Sequence, residues 1–393
     1  MISVNEVLQL SLFDDSRIIC GSEYLENSII GAVILEYESS AKDYAGYCYG
    51  EFVLVSYFMA KSNPELVHDS LVSIIKKHVS GIAIKLPEGE TLPDDILLLA
   101  KKNHVPIIAF YAAFMEDLIV SITNSLKDRA QVVRCEELLG SIIANEPDRE
   151  KVKDAALEIN YAFKPYIVSA AVTFRNVTDK DEVRGYFTKM MYHQFRIEDT
   201  TSYAYVRYRN EIVLICSYNE EDKTMSRLDV RRRMTDILTN AGISMDAIQM
   251  GICDNVLRLD EMNISVTRAV NANTACRYLD KSIQEYSTMG IYKYITATSN
   301  DTAIYHDIIK KIDILKNYDN DHESALIETL KEFYQNNENY AAASAKLYQH
   351  TNTIRYRIKK TMQLLAEEGE EEMSEDELAI LIRSYLLHEI AYS

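Results

Sequence analysis

A chain of 393 residues with a formal net charge of −18, 47% hydrophobic and 26% charged, is long and apolar enough for two or three domains with sizeable cores. Its acidity argues against a protein that coats nucleic acid without discrimination, because phosphate binding is driven by Lys and Arg. No apolar run reaches the roughly 18–20 residues needed to span a bilayer, and "MISVNEVLQL" lacks a secretory signal's basic start and apolar block, so a cytoplasmic protein with no membrane partner is expected.

In chain order, "GAVILEY", "EFVLVSYFM", "GIAIKL" and "VPIIAF" read as buried strands, each a short apolar run bounded by turn residues. Between them "PELVHDSLVSIIKKH" and "PDDILLLAKKNH" read as helices with Pro in the first turn and Lys or His at the end. This order predicts a parallel-sheet α/β domain over residues 1–125. His68, His78 and His104 fall at or near predicted helix ends, where they favour the dipole. A long helix follows from about Phe114 to Asn145, with Met115, Leu118, Ile119, Ile122, Leu126 and Val133 along one stripe. It serves either as a dimerising signalling helix or as an ordinary packed helix, and residues 126–160 read as a helical linker.

Pro147 and Pro165 bracket the next boundary. Beyond it come strand "YIVSAAVTF", a helix over 179–196, strands "SYAYVRY" and "EIVLICSY", a helix over 223–241, strand "AIQMGIC" and a helix over 257–279. That β-α-β-β-α-β-α order over 161–295 predicts an α+β domain resembling a ferredoxin fold or a nucleotide-cyclase palm. Residues 300–393 show no convincing strand and read as an all-helical domain.

Charge is concentrated in that last region. Residues 340–366 hold five Lys or Arg and no acid, whereas "EEGEEEMSEDE" places eight acids in residues 367–377, read as a solvated loop. In "NENYAAASAKLYQHTNTIRYRIKKTMQLL" a short helix over Tyr340 to Leu347, a tight turn and a second helix over Thr351 to Leu365 are predicted. On the second helix Ile354, Ile358, Thr361 and Leu365 share one side, and Asn352, Arg355, Tyr356, Lys359 and Gln363 the other. An apolar anchor opposite a face of Asn, Arg, Tyr and Lys is what a helix reading the DNA major groove needs. The alternative is a solvated basic face. We assign Asn352, Arg355 and Tyr356, with Lys359 beyond them, to base edges. Lys346, Thr353, Arg357 and Lys360 are assigned to phosphates, Thr351 to either role, and His350 to bracing the turn.

Residues 322–393 resemble the C-terminal helix-turn-helix of PucR-type bacterial transcriptional regulators, through Asn337, Asn339, Leu347, His350, Asn352, Thr353, Ile354, Tyr356, Arg357 and Ile358. The departures are Gln349 where an aliphatic residue is usual, Thr351 where Arg is frequent, and Ser344 where Ala is usual. The stretches "MISVNEVLQL", "GEFVLVSYF", "SGIAIKL" and "LPDDILLLAKKNHVPIIAF" resemble the family's N-terminal sensor-like domain. The resemblance implies a DNA-binding regulator of metabolic genes, with purine or nitrogen catabolism as the candidate targets, that responds to an unidentified small-molecule effector. Binding as a homodimer to double-stranded DNA is expected.

The middle region resembles the degenerate GGDEF-type domain often found between these two. At "VRYRNEIVLIC" Arg209 and Asn210 stand where that signature has glycines, and Glu211 alone remains of its acidic pair. Phosphate needs the close backbone approach that glycine permits, and phosphoryl transfer needs metal-bridging carboxylates, so no cyclase activity is expected. The six cysteines form no CxxC pair, which predicts reduced structural thiols. With no HExxH, GxGxxG or Walker loop, no enzyme, cofactor or metal is expected. The competing function is a nucleotide-binding or signalling sensor built on residues 161–295, with weak or lost DNA binding.

Overall fold

The computed structural model describes residues 1–35, 46–56, 64–87, 89–144, 148–175, 177, 183, 185–188, 190–191, 203–219, 224–299, 301–366 and 372–392. It divides into two compact units, Met1–Arg134 and Cys135–Ser393. The chain is thus a mixed α/β protein with two large mixed sheets and a helical C-terminal region.

In the first unit a short ribbon pairs β1 (Ile2–Ser3) with β3 (Ser28–Ile29). Helix α1 (Val4–Leu8) starts with a capping box between Ser3 and Glu6. The main sheet has the order β2-β7-β6-β5-β4, built from β2 (Arg17–Cys20), β4 (Gly31–Leu35), β5 (Glu51–Ser56), β6 (Gly81–Lys85) and β7 (Ile107–Phe110). Strands β4 to β7 run parallel, as the four apolar runs predict. They are apolar throughout because both faces are covered, by Leu71, Ile74 and Ile96 on one side and Phe13, Leu118 and Ile122 on the other. One expectation needs correction: the sheet is mixed, because β2 pairs antiparallel with β7 at its edge. "RIIC" has an exposed first half and a partly buried second, so it carries no buried-strand signature.

Helices α2 (Pro64–Ile75) and α3 (Asp94–Lys102) are joined by His68, whose Nε2 lies 2.7 Å from the Asp95 carboxylate. That contact holds the Asp95 carboxyl below its usual range. His78 and His104 follow the two helices in left-handed backbone, at φ 55° and 59°. Helix α4 (Met115–Ala144) buries Met115, Leu118 and Ile122 in the first unit's core, and its last turns bury Leu139 and Ile142 in the second. Val133, expected on the same stripe, is instead 38% exposed, because it falls between those two packed stretches.

The second unit opens with α5 (Arg149–Ile159), capped by Asp148. Its sheet has the order β13-β11-β8-β10-β9, from β8 (Tyr166–Phe174), β9 (Tyr203–Tyr208), β10 (Glu211–Tyr218), β11 (Ile248–Ile252) and β13 (Ile283–Glu285), with β12 (Leu257–Arg258) also on β8. All pairs are antiparallel except β11 with β13, a three-residue strand too short to carry a pattern. Most of the helix expected over 179–196 lies outside the described residues, as does the acidic stretch 367–371. Helices α6 (Arg227–Asn240) and α7 (Met262–Tyr278) complete the layer, and α7 is almost entirely buried. Gly251 of β11 allows that burial: a Cβ there would lie 2.0 Å from the Asn273 backbone nitrogen and 2.4 Å from the Ala269 carbonyl oxygen.

Among the described residues six helices follow: α8 (Tyr292–Ser299), α9 (Thr302–His322), α10 (Leu326–Gln335), α11 (Tyr340–Leu347), α12 (Thr351–Leu364) and α13 (Glu375–Tyr392). Together they enclose one core around Ile312, Leu330, Ile354, Leu378 and Leu387. No helix among the described residues is long and apolar enough to cross a membrane.

Because every near neighbour of the missing Cβ at Gly251 is backbone, no side-chain rotation can relieve it. Gly251→Ala is expected to lower the stability of the second unit by about 3 kcal/mol or more, measured by urea unfolding.

Candidate nucleic-acid interface

Helix α11 occupies the predicted residues, and α12 ends one residue short of its predicted end. Asn339 starts α11 by accepting from the backbone N–H groups of Ala341 and Ala342 at 3.0 and 3.1 Å. Before it, Asn337 and Glu338 adopt left-handed backbone, which Asn tolerates well. Ala343 is buried where the two helices meet, so its small side chain sets their approach.

The turn between α11 and α12 has three supports. Tyr348 takes left-handed backbone (φ 53°) and ends α11. The Gln349 backbone N–H donates to the Ser344 carbonyl at 3.1 Å, and the Ser344 hydroxyl donates to the Gln349 carbonyl. Ser344, one of the departures from the family pattern, therefore closes the turn. The Gln349 side chain is exposed and takes no core position. His350 is the N-cap of α12, its Nδ1 accepting from the Asn352 N–H at 3.2 Å. That role requires an unprotonated Nδ1.

The two faces of α12 separate cleanly. Ile354 and Thr361 are fully buried, Ile358 is 6% exposed and Leu365 is 3% exposed. Asn352, Arg355, Tyr356, Lys359 and Gln363 are exposed; Thr351, Thr353, Arg357 and Lys360 are half-buried. The guanidinium of Arg355 lies 4.9 Å from the centre of the Tyr340 ring, which itself leans on Phe333. The Lys360 ammonium sits 5.4 Å from the Tyr318 ring centre. Lys346 is held 3.4 Å from the Glu332 carboxylate, at an exposed position where such a pair is worth little.

Arg357 sits differently from its neighbours. Its guanidinium donates to the Thr329 hydroxyl of α10 at 2.9 Å, bracing α12 from behind. The sequence reading also omitted Tyr348, which is 94% exposed at the tip of the turn. A large aromatic at the predicted turn between two helices was the available signal.

The hairpin between β9 and β10 carries Arg209 at its turn and Glu211 at the start of β10. Arg209 adopts φ 55°, a conformation that favours glycine. Its guanidinium donates to the Tyr392 hydroxyl at 2.9 Å and stacks on that ring at 4.3 Å. Glu211 is 6% exposed and accepts from the Asn273 side-chain amide at 2.9 Å. Burial pushes its carboxyl up to about 7.

Two family models match the chain: the purine catabolism regulatory protein-like family over residues 6–126, and the PucR C-terminal helix-turn-helix domain over residues 326–368. The DNA-binding transcriptional activator AdeR of Bacillus subtilis (strain 168) is 25% identical over 199 residues, 46% of this chain and 45% of that protein. The proline-responsive transcriptional activator PutR of the same organism is 22% identical over 267 residues, 65% of this chain and 62% of that protein. The matches therefore span less than two thirds of either relative's length. A crystal structure of a regulator of polyketide synthase expression from Bifidobacterium adolescentis aligns at 10% identity, covering 66% of this chain and 98% of that one, with a TM-score of 0.29, too slight a likeness to bear on the fold.

Arg357→Ala is expected to cost about 1–2 kcal/mol through the lost bond to Thr329. Arg355→Ala, on the exposed face, should change stability by less than about 0.5 kcal/mol. Urea unfolding of the two variants checks the division of labour. The chain carries, at its two ends, the N-terminal and the helix-turn-helix domains that mark the PucR family of transcriptional regulators.

Proposed function

We propose that this protein is a sequence-specific DNA-binding transcriptional regulator of metabolic genes that responds to a small-molecule effector. The observation that carries the reading is the division of α12. Its apolar side is fixed in the core, and Asn352, Arg355, Tyr356 and Lys359 stand together in solvent. In this reading Asn352, Arg355 and Tyr356 meet base edges, with Lys359 beyond them. Lys346, Thr353 and Lys360 meet phosphate, Thr351 serves at the helix start, and Tyr348 joins them from the turn. Arg357 acts chiefly by holding the helix in place. The names of the two relatives, one of them responsive to proline, support an activator-like regulator with a small effector.

We assign effector sensing to residues 1–125, a linker to 126–160, a palm-like packing domain without cyclase chemistry to 161–295, and DNA binding to 300–393. The antiparallel β8-β10-β9 arrangement with its two-residue turn supports the palm-like assignment. A single helix-turn-helix has a small footprint, so the protein would act in the cytoplasm as a homodimer on half-sites about 34 Å apart.

Arg355→Ala should weaken operator binding and relax base preference, whereas Lys360→Ala should weaken all sequences alike and flatten the salt dependence. Selection of bound genomic fragments followed by salt-dependent binding assays measures both, and undiminished operator binding by both variants would overturn the assignment of α12. Incubation with GTP and magnesium should give no product; turnover would overturn the reading of the Arg209–Glu211 hairpin.

A further inference from the structure

We propose that Glu211, the one acid left at the hairpin signature, is carried as a neutral carboxylic acid in a two-point hydrogen-bonded pair with the Asn273 side-chain amide. The pair spans two elements, since Glu211 opens β10 and Asn273 lies in the middle of the buried helix α7. Asn273 is fully buried, and its Nδ2 donates to Glu211 Oε1 at 2.9 Å and to the Thr173 hydroxyl at 3.3 Å. Two atoms of the same two side chains then have no partner among the described residues: Glu211 Oε2 and Asn273 Oδ1. Both are acceptors when Glu211 is ionised, and two acceptors cannot satisfy each other. A proton on Oε2 turns it into a donor to Oδ1, so one proton pairs both orphans and closes a ring with the bond already present.

The charged and titratable groups around the carboxyl are Arg277 of α7, Arg209 of the hairpin turn and Tyr208 of β9. The Asn273 amide N–H and, after it, the two guanidinium groups favour the ionised form, and burial opposes them more strongly. The net result is a carboxyl raised from its ordinary 4.5 to about 7. Because the folded value lies above the unfolded one, the pair's stabilisation is complete below the ordinary carboxyl range. It declines as pH rises from 4.5 and is lost above about 7. The proton sits next to a junction that matters. Arg209, two residues away, is bound to Tyr392 at the end of α13, and α13 shares its core with α12. The site is therefore a proton-binding strut between β10 and α7, two residues from the contact that fastens the hairpin to α13.

Glu211→Gln supplies the test, because a glutamine amide both accepts from Nδ2 and donates to Oδ1 at every pH. In the full-length protein, the melting temperature of Glu211→Gln relative to wild type should be roughly 5 °C more favourable near about pH 8.5 than near about pH 5.5. A melting-temperature difference that stays constant with pH would overturn the proposal. If the variant does not fold, infrared difference spectra of the wild type decide the matter. A protonated carboxylic acid band must be present near about pH 6, vanish on raising the pH, and move in Asn273→Ala. Its absence at the lower pH overturns the proposal equally.

Discussion

The arrangement of the C-terminal region rests on one constraint: α12 must bury its apolar side completely before its polar side can be presented in one orientation. Ile354, Ile358 and Met362 enter the same core as Leu330 of α10, Ala343 of α11 and Leu378 of α13. Fully burying each of the large residues contributes about 1.5–3 kcal/mol. That burial fixes position along and around the helix; polar contacts then fix the rest. Asp319 accepts from the N–H groups of Leu326 and Ile327, supplying α10 with the cap that Ala325 cannot provide. Arg357 reaches Thr329, and the Met373 N–H returns to the Met362 carbonyl, closing the chain after α12. A reading face held in this way loses little freedom on binding, which is where preorganisation yields affinity.

A second constraint ties the sheet to this core. Arg209, Tyr392, His388 and Tyr305 form a column of stacked groups, separated by 4.3, 4.2 and 3.3 Å. His388 Nδ1 lies 2.7 Å from the Ser299 carbonyl. Burial lowers the His388 pKa, which favours the neutral ring suited to stacking between two tyrosines. Arg209 occupies left-handed backbone at a cost of about 1–2 kcal/mol, and its contacts with Tyr392 offset this. An arginine at a position that favours glycine is therefore intelligible as a fastening. That one residue attaches the hairpin to the last turn of α13.

What could be read from the sequence follows from which interactions are local. The four parallel strands were legible because covering both faces makes them continuously apolar, and α12 because its two faces differ at a period of 3.6. Strand β2 was not, since an edge strand with one exposed end has neither a full apolar run nor a clean alternation. Arg357 shows the limit at the site. Periodicity places its Cα at the border of the two faces, but a long side chain can reach inward or outward, and Thr329 lies 28 residues away in sequence. Glu211 and Asn273 are separated by 62 residues, so no window of pattern could show that the surviving acid faces an amide. Ser344 was visible as a departure from a motif, but not as the hydroxyl that closes the turn.

An acidic body with a basic reading face is consistent physics rather than a contradiction. Charges more than a Debye length apart, about 8 Å at physiological salt, are largely screened, so the net −18 acts weakly at the α12 face. Contacts to phosphate form at a few ångströms, where screening does little. The acids at the start of α13 are placed to limit their effect. Glu375, Asp376 and Glu377 occupy the first turn of α13, where the dipole favours them, and Glu377 accepts from the Ser374 N–H and hydroxyl. Those bonds hold the Glu377 carboxyl below its usual range. On the proposed function, the few cations on this face would limit binding to DNA of any sequence, and Asn352, Arg355 and Tyr356 are the exposed groups placed to discriminate among sites. On that reading, specificity is the ratio of the sequence-dependent to the sequence-independent affinity, and a short basic face keeps the second small.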